Sequence, residues 1–360
     1  MTEKKELLAL LPHELEALMT ELGEPRYRAE QLFVQLHRGL SPDEMTNIGA
    51  RTLEKLADAT HYHLPRVVRK LVSAIDGTIK YLFELADGHC IESVVMHYEH
   101  GTTICISSQV GCAMGCKFCA STIGGKVRNL TPGELLGQVI AAARDSGERI
   151  DGIVMMGIGE PLDNFDNVLR FLELVNAPKG VNIGYRHISL STCGLCERID
   201  ELAQHKLPIT LSISLHAADD ETRSSIMPIN RRYSVSELLA ACRRYYATTG
   251  RRISFEYTLI AGKNDSREAA KKLATVLNRS LRSRTEGMPI HVNLIPVNEV
   301  EETGFQRAGA RAVKAFAAVL EENGIRATVR RKLGADINAS CGQLRRENLK
   351  TDKKKLDGEE

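Results

Sequence analysis

Three cysteines stand at the spacing Cys112-x3-Cys116-x2-Cys119, in a short run that also contains two glycines. Each iron of a 4Fe–4S cube takes one protein thiolate, so three cysteines hold three irons and leave the fourth open to another ligand. A closed zinc site has four protein ligands. The alternatives are a three-cysteine zinc site completed by a distant histidine, and chance spacing among the nine cysteines. The spacing favours an iron–sulfur cluster with one open iron.

Polar side chains follow several predicted strands. The second strand runs into Gly157-Ile158-Gly159-Glu160-Pro161, where glycines allow close backbone approach and the carboxylate could bind an ammonium group. Ser191 follows the third strand, Ser214-Leu215-His216 ends the fourth, and Asn293 lies in the sixth. Each residue alone could satisfy local backbone groups. Four such ends beside the cysteine loop favour one ligand pocket.

A second set of residues suggests covalent chemistry. Cys341 lies in a polar, glycine-flanked loop, where a thiol is better placed to react than to pack. Cys105 lies in the first strand and would by itself be read as a buried thiol, and Glu92 lies in the strand before it. Cys193 and Cys196 stand at CxxC spacing, which could be a second metal or redox pair, but without further ligands we favour spare buried or surface thiols.

The composition is typical of a soluble cytoplasmic enzyme. The chain has 360 residues, enough for one large domain and a small accessory one. No run of about 18 apolar residues exists, and the first six residues lack the features of a secretory signal. Nine cysteines then indicate metal or redox chemistry rather than disulfides. We expect no contact with a membrane.

The net charge is only +2, yet basic residues cluster. Dibasic pairs on helices are more often solvated than functional, but their number is compatible with an RNA partner. The clusters are Arg66/Arg69/Lys70, Arg231/Arg232, Arg243/Arg244, Arg251/Arg252, Arg330/Arg331/Lys332, Arg345/Arg346 and Lys353 to Lys355.

Four segments differ in pattern. Residues 1–62 read as short helices of an accessory, RNA-binding domain, with a cap and proline at Ser41-Pro42. Residues 63–98 alternate apolar and polar positions around two Asp-Gly pairs, which predicts a three-stranded meander. Residues 99–345 repeat strand, loop and helix. Residues 346–360 form a charged tail that we predict to be disordered.

Six strand–helix units in the third segment predict a parallel sheet covered by helices, an α/β fold. In barrels of this type the chemistry lies at the carboxyl ends of the strands, where the polar motifs fall. The predicted strands are Thr103–Ser107, Gly152–Met156, Arg186–Leu190, Ile209–Ser214, Arg252–Leu259 and Ile290–Ile295. Helices are predicted to begin after Thr131, Ser234 and Ser266.

The cysteine loop resembles the signature of the radical S-adenosylmethionine (SAM) superfamily, in which SAM chelates the open iron. The full set of motifs, from Gly23-Glu24-Pro25 to about Leu344, is similar to the RlmN family of dual-specificity RNA methyltransferases acting on adenine C2. The motifs that carry this similarity are, in chain order, Glu92, Cys105, CxxxCxxC, Gly-Ile-Gly-Glu-Pro-Leu, Leu-Ser-Thr, Ser-Leu-His, Asn-Leu-Ile-Pro and Ala-Ser-Cys-Gly-Gln-Leu. The resemblance implies a partial (βα)6 barrel.

The resemblance also implies roles for single residues. Cys112, Cys116 and Cys119 would hold one 4Fe–4S cluster, and SAM would be bound by Gly159, Glu160, Ser191, Ser214, Leu215, His216 and Asn293. Cys341 would carry the methyl group, Cys105 would form a disulfide with it, and Glu92 would accept a proton. Two SAM molecules would be used per turnover, one as methyl donor and one as radical source.

The implied substrates are adenine 2503 of 23S rRNA and adenine 37 of tRNAs. The resemblance also implies a low-potential electron donor such as flavodoxin or ferredoxin.

Three other functions stay open. The C8-methylating Cfr type shares the cysteines, but its strand-two loop usually lacks the proline found here at Pro161. A glycyl-radical activase would not need Cys341 or Glu92. The third alternative is not an enzyme: the chain could be a non-catalytic RNA-binding protein that holds an iron–sulfur cluster or zinc.

Overall fold

The computed structural model describes residues 4–282, 287–298, 303–337, 339, 342 and 344–345. Cys341 and the predicted tail lie outside these residues. The helices are α1 (Pro12–Glu21), α2 (Tyr27–His37), α3 (Ala50–Ala59), α4 (Pro132–Ser146), α5 (Phe165–Asn176), α6 (Cys196–Gln204), α7 (Asp220–Ile226), α8 (Val235–Thr249), α9 (Arg267–Leu281) and α10 (Ala310–Glu322). None of these is long and apolar enough to cross a membrane.

The strands are β1 (Lys5–Glu6), β2 (Thr60–His61), β3 (Arg66–Val72), β4 (Ile79–Glu84), β5 (Cys90–Tyr98), β6 (Gly101–Cys105), β7 (Gln109–Gly111), β8 (Lys126–Asn129), β9 (Gly152–Met155), β10 (Ile188–Thr192), β11 (Thr210–Ser214), β12 (Ile253–Leu259), β13 (Ile290–Pro296) and β14 (Arg326–Val329). Ten of them form one sheet in the order β14-β13-β12-β11-β10-β9-β6-β5-β4-β3. β1 pairs with β2, and β7 with β8.

The sheet combines two kinds of pairing. Strands β6 and β9 to β14 run parallel, whereas β3 to β6 form antiparallel pairs. The predicted α/β fold with its parallel sheet is therefore confirmed, and each of the six predicted strands is present with shifted ends. Strand β14 was not predicted, since it has only four residues, which lie at the sheet edge and are mostly exposed, so the segment carries little apolar signal.

Local capping explains where the outer helices begin. At α4 the N–H of Glu134 donates to Thr131 Oγ1 at 3.1 Å, and the N–H of Thr131 donates back to the Glu134 carboxylate at 3.0 Å. The same reciprocal pair starts α8 at Ser234. At Ser41 only the return bond forms, from its N–H to the Glu44 carboxylate at 2.8 Å, and only a single 3₁₀ turn follows, Pro42–Glu44. A predicted cap thus marks a helical start without fixing the length of the helix.

The N-terminal helices pack on the same hydrophobic core as the sheet, which includes Leu8 and Leu18 from this part of the chain. Polar contacts reinforce the packing: Thr131 Oγ1 donates to Glu6 at 2.7 Å, and Arg170 lies 2.6 Å from Glu14. His37 is buried under residues 177–181, where its Nδ1 accepts the N–H of Val181 at 3.3 Å. The assignment of residues 1–62 to a separate RNA-binding domain stays a prediction.

Beyond β14 the chain crosses to the other edge of the sheet. The N–H of Gly334 donates to Asp76 at 2.8 Å, in the turn between β3 and β4. Asp336 accepts a hydrogen bond from Ser73 Oγ at 2.6 Å and another from the N–H of Ala74 at 2.8 Å. We call residues 330–337 the C-terminal strap. It spans the open side of the curved sheet, from β14 to the meander.

Candidate functional site

The cysteine loop, residues 112–125, connects β7 to β8 and is held in a tight conformation. We call it the cluster loop from here on. Gly111 has φ +81°, and a Cβ there would lie 1.9 Å from the carbonyl oxygen of Gly125, so only glycine fits. The N–H of Cys119 donates to the carbonyl of Cys116 at 3.1 Å. Thr122 Oγ1 donates to the carbonyl of Cys119 at 2.9 Å. The loop therefore closes around its cysteines through contacts of their backbone groups.

All three cysteines line one open cavity of about 320 Å³. Burial raises the pKa of Cys112 to about 12, and the pKa of Cys116 also rises with burial. A thiol in this setting becomes a thiolate when a cation such as a metal centre supplies compensating charge. Among the residues that the structure describes, no group of three or more His, Cys, Asp or Glu side chains is arranged to hold a single metal ion. Cluster cysteines bind different irons, so this donor set fits a 4Fe–4S cluster.

The strand ends predicted to bind SAM reach the same cavity. Its lining includes Gly159 and Glu160 after β9, Ser191 in β10, and Ser214 with His216 at the end of β11. Gly159 has φ +110°, and a Cβ there would meet Ser108 Oγ at 2.6 Å. A side chain at this position would therefore displace the loop between β6 and β7. The glycine therefore allows the loop after β9 to pack closely against the segment between β6 and β7.

Glu160 is a buried carboxylate with fixed orientation. One oxygen accepts the N–H of Cys193 at 2.8 Å, and the other accepts the N–H of Leu162 at 3.1 Å. Burial raises the pKa of Glu160, while these hydrogen bonds oppose the rise. A buried carboxylate in a cavity wall is stabilised by a cationic ligand group, such as the ammonium of an amino acid.

His216 faces the cavity as a neutral ring. Its backbone adopts φ +58°, and its Nδ1 accepts the N–H of Thr258 at 2.9 Å. Burial lowers the pKa of His216 to about 3. Because Nδ1 is an acceptor, the ring proton lies on Nε2. The ring of Phe118, from the cluster loop, packs edge-on against it with centroids 5.0 Å apart. The histidine therefore links β11 to the cluster loop.

Two residues predicted to bind SAM do not belong to the described cavity lining. Leu215 has no exposed surface, and its carbonyl accepts a bond from Arg223 Nε at 3.0 Å. Asn293 donates through Nδ2 to a carboxylate oxygen of Glu256 at 2.7 Å. Asn293 therefore contacts Glu256, which lines the cavity, whereas Leu215 contacts Arg223, which is not part of the lining.

Glu256 and Arg223 were missed by the sequence reasoning. Glu256 lies in β12, lines the cavity, and burial raises its pKa. The alternation of Ser254, Glu256 and Thr258 within an otherwise apolar strand was a signal of a polar inner face. Arg223 offered no such signal, because it stands in a charged run that resembles an ordinary exposed helix start.

The remaining cysteines divide between cavity and core. Cys105 lines the cavity, at the end of β6, and packs against Val94 and Met96 of β5. Cys193 also lines the cavity and is buried, which raises its pKa. Cys196 lies in the hydrophobic core at the start of α6.

Glu92 lies in β5, outside the described lining of the cavity. Its side chain is buried against Lys80, with Nζ 3.2 Å from Oε2. Glu92 also accepts hydrogen bonds from the backbone of Gly342 and Arg345, on the far side of Cys341 in sequence. The structure thus brings Glu92 next to the segment that contains the predicted methyl carrier.

The mouth of the cavity is basic and partly aromatic. Arg330, Arg331 and Lys332, at the start of the strap, line it and are exposed. In the part of the chain that the structure describes, none of the three forms an ion pair with an acidic side chain. Tyr98 lines the same opening and stacks on His100, with ring centroids 5.2 Å apart. We call Tyr98, Arg330, Arg331 and Lys332 the basic rim.

Comparisons with known proteins agree with this geometry. Residues 106–274 match the model of the radical SAM superfamily. A probable dual-specificity RNA methyltransferase RlmN of Clostridium novyi is 49% identical over 348 residues, 96% of this chain and 99% of that protein. Its counterpart in Clostridium acetobutylicum is 51% identical over 334 residues, 92% and 94% of the two chains. A solved radical SAM methyltransferase from Sphaerobacter thermophilus is 43% identical, with a TM-score of 0.88 over 94% of this chain and 98% of that one.

Proposed function

The chain belongs to the RlmN family of radical SAM RNA methyltransferases, and on this basis we propose that it methylates C2 of adenine in two RNAs. The proposed targets are adenine 2503 of 23S rRNA and adenine 37 of tRNAs, which implies work in the cytoplasm. One observation carries the proposal: the three loop cysteines, the strand ends expected to bind SAM, and Cys105 all line one cavity.

The chemistry of the target explains why such a site is needed. Adenine C2 is an amidine carbon with neither a lone pair nor an acidic proton, so it cannot attack the methyl group of SAM directly. The cluster held by Cys112, Cys116 and Cys119, reduced by a flavodoxin- or ferredoxin-type donor, and two SAM molecules supply radical chemistry when bound. The side chains of the protein bind SAM, carry the methyl group, accept the proton and release the product.

Glu160 is suited to bind the SAM ammonium, because it is a buried carboxylate in the cavity wall. Gly159 allows close backbone approach, and Ser191, Ser214 and His216 offer polar groups from the neighbouring strand ends. Leu215 and Asn293 contribute through the residues that they hold, Arg223 and Glu256.

The covalent steps use two cysteines and one carboxylate. The Cys341 thiolate takes a methyl group from SAM, forming an S–CH3 bond as the sulfonium–methyl bond breaks. The radical chemistry that the bound cluster and SAM supply would remove one hydrogen atom from this S-methyl group, join the resulting methylene carbon to C2, and take up the one electron left over. Glu92 would accept the C2 proton. Cys105 then attacks the sulfur of Cys341: the S–S bond forms as the S–CH2 bond breaks, and the freed carbon takes up a proton, which leaves a methyl group on C2. Cysteine suits both roles as a strong nucleophile and a good leaving group in disulfide exchange.

The basic rim supports an RNA substrate. Its three cations stand at the cavity mouth, where they can neutralise phosphates beside the target nucleotide. Tyr98 offers an aromatic face to a base, the usual way of holding an unstacked nucleotide. The rim therefore matches a single-stranded or looped segment of RNA in chemistry and position.

The test is reaction of the reconstituted protein with 23S rRNA and tRNA fragments, followed by nucleoside mass spectrometry. We expect 2-methyladenosine, and +14 Da on the peptide containing Cys341 before RNA is added. Cys105→Ala should leave RNA covalently attached to Cys341, visible as a shifted band on a denaturing gel. Formation of 8-methyladenosine would instead indicate the Cfr-type reaction. A Cys105→Ala protein that turns over normally would remove the disulfide step.

A further inference from the structure

Strands β4 and β5 carry an ion pair in the interior of the protein. Lys80 Nζ lies 3.2 Å from Glu92 Oε2, and each side chain is only 1% exposed. Lys80 stands opposite Val94 in the antiparallel register, so its side chain shares a sheet face with Val94, Met96 and Glu92. That face lines the cavity further along β5. Lysine is rarely buried without a function for its charge, because desolvation of an ammonium is costly.

Glu92 uses its carboxylate to hold a distant part of the chain. Oε2 accepts the N–H of Gly342 at 2.8 Å, and Oε1 accepts the N–H of Arg345 at 2.6 Å. Gly342 has φ +82°, and a Cβ there would lie 3.0 Å from the backbone N of Ser121 in the cluster loop. The carboxylate therefore fixes the backbone of the residue that directly follows Cys341, close to the cluster loop.

The chain is anchored on both sides of Cys341, and the two anchors differ. Before it, the strap is held by Asp76 and Asp336, whose partners are backbone N–H groups and the hydroxyl of Ser73. After it, the anchor is Glu92, the one carboxylate of the three that is buried against a lysine. The second anchor therefore depends on a compensating charge, whereas the first lies near solvent.

We propose that Lys80 is a positioning residue for methyl transfer. It holds Glu92 in the orientation that binds the backbone of Gly342 and Arg345, and so constrains the position of the cysteine that precedes them. The inference rests on the proposed role of Cys341 as methyl carrier. Without the ammonium, the buried Glu92 carboxylate would lose its ion-pair partner and keep only the electrostatic attraction of the buried Arg345 guanidinium. Rotation away from Lys80 would then release both N–H groups.

Glu92 can hold the backbone of Gly342 and Arg345 and still accept a proton from the substrate. A carboxylate has about four lone-pair sites, and the two N–H bonds and the ammonium occupy only part of them. The same contacts that fix Gly342 and Arg345 also fix the direction of the remaining lone pairs. Lys80 thus orients the proposed proton acceptor and the proposed methyl carrier together.

Hydrogen–deuterium exchange of the full-length, reconstituted Lys80→Met protein tests the inference. Peptides covering residues 342–345 should exchange about tenfold faster or more, because their N–H groups lose a fixed acceptor. With RNA substrate, kcat should fall about tenfold while the KM for RNA stays unchanged. The matched control is Lys70→Met on the adjacent strand, whose pair with Asp145 is about one-third exposed. It should change neither quantity.

A double-mutant cycle with Glu92→Gln separates positioning from a general loss of stability. If Lys80 acts through Glu92, the further change Lys80→Met should add little to the exchange rate of residues 342–345. The double variant also removes both buried charges, so it stays informative if Lys80→Met alone fails to fold. Unchanged exchange in Lys80→Met, or equal acceleration with and without Glu92, would overturn the inference.

The exchange experiment does not depend on methylation, so the two hypotheses fail separately. Absence of +14 Da on Cys341 in the unaltered protein would contradict the proposed function and leave the docking result standing. Normal methylation of Cys341 together with unchanged exchange in Lys80→Met would contradict only the role of Lys80.

Discussion

Arg223 Nη2 donates a hydrogen bond of 2.7 Å to the backbone carbonyl of Cys193, and this bond ties helix α7 to the loop after β10. The same guanidinium donates to the carbonyls of Leu215 at 3.0 Å and Ser214 at 3.2 Å, at the end of β11. Its side chain has no exposed surface. One buried cation thus joins two adjacent strand ends that face the cavity.

Arg223→Met should destabilise the protein by about 3–5 kcal/mol, because several buried carbonyls lose their donor at once. Urea unfolding measures the change. Arg244→Met is the matched control: Arg244 pairs with Asp200 on the surface, where both side chains are more than one-third exposed. That change should cost less than about 1 kcal/mol. Equal effects of the two substitutions would mean that the buried network contributes little.

Cys116→Ala should abolish the cluster. The anaerobically reconstituted protein should contain about four irons and four labile sulfides per chain, and the variant should retain almost none. Cys242→Ala is the control, since Cys242 is a fully buried core residue in α8. It should keep the full iron content. Tightly bound zinc without labile sulfide in the unaltered protein would contradict the cluster assignment.

The double substitution Arg330→Ala/Arg331→Ala should weaken RNA binding in a salt-dependent way. Loss of two phosphate contacts should lower the slope of log affinity against log salt by about 1–2. Arg251→Ala/Arg252→Ala changes a dibasic pair just before β12, at the opposite end of the strands from the cavity. Filter binding in a salt series compares them. The same slope in both double variants would show that the basic rim does not contact RNA.

His37 should make stability depend on pH. Burial lowers its pKa from 6.5 to about 4, so as pH falls the unfolded chain takes up the proton first. The contribution of His37 is therefore complete above pH 6.5 and is lost as pH falls toward 4, by about 3 kcal/mol in total.

Protonation of Nδ1 would also break its bond from the Val181 N–H. His37→Asn keeps an acceptor near that position and cannot be protonated. Urea unfolding between these pH values should show a shallower dependence in the variant. An identical dependence in both proteins would exclude His37 as the source.

Local signals in the sequence were sufficient to predict which strand ends and which loop line the cavity. Cysteine spacing placed the cluster loop, and alternating strand and helix patterns placed Glu160, Ser191, Ser214 and His216 at strand ends. Carboxyl ends of parallel strands meet at one edge, so residues far apart in the chain could be assigned to one pocket. Capping boxes gave the starts of α4 and α8 for the same reason, since their partners are only three residues apart.

The tertiary structure decided what no local pattern encodes. Glu92 and Gly342 are 250 residues apart in the chain, and Ser73 and Asp336 are 263 apart. A single lysine in a strand of six residues has no periodic signature, so the sequence alone indicated an ordinary polar position of the meander at Lys80, although β4 is buried on both faces. Contacts of this kind depend on how the strap crosses the sheet, because a hydrogen bond is set by distance in space rather than by separation along the chain.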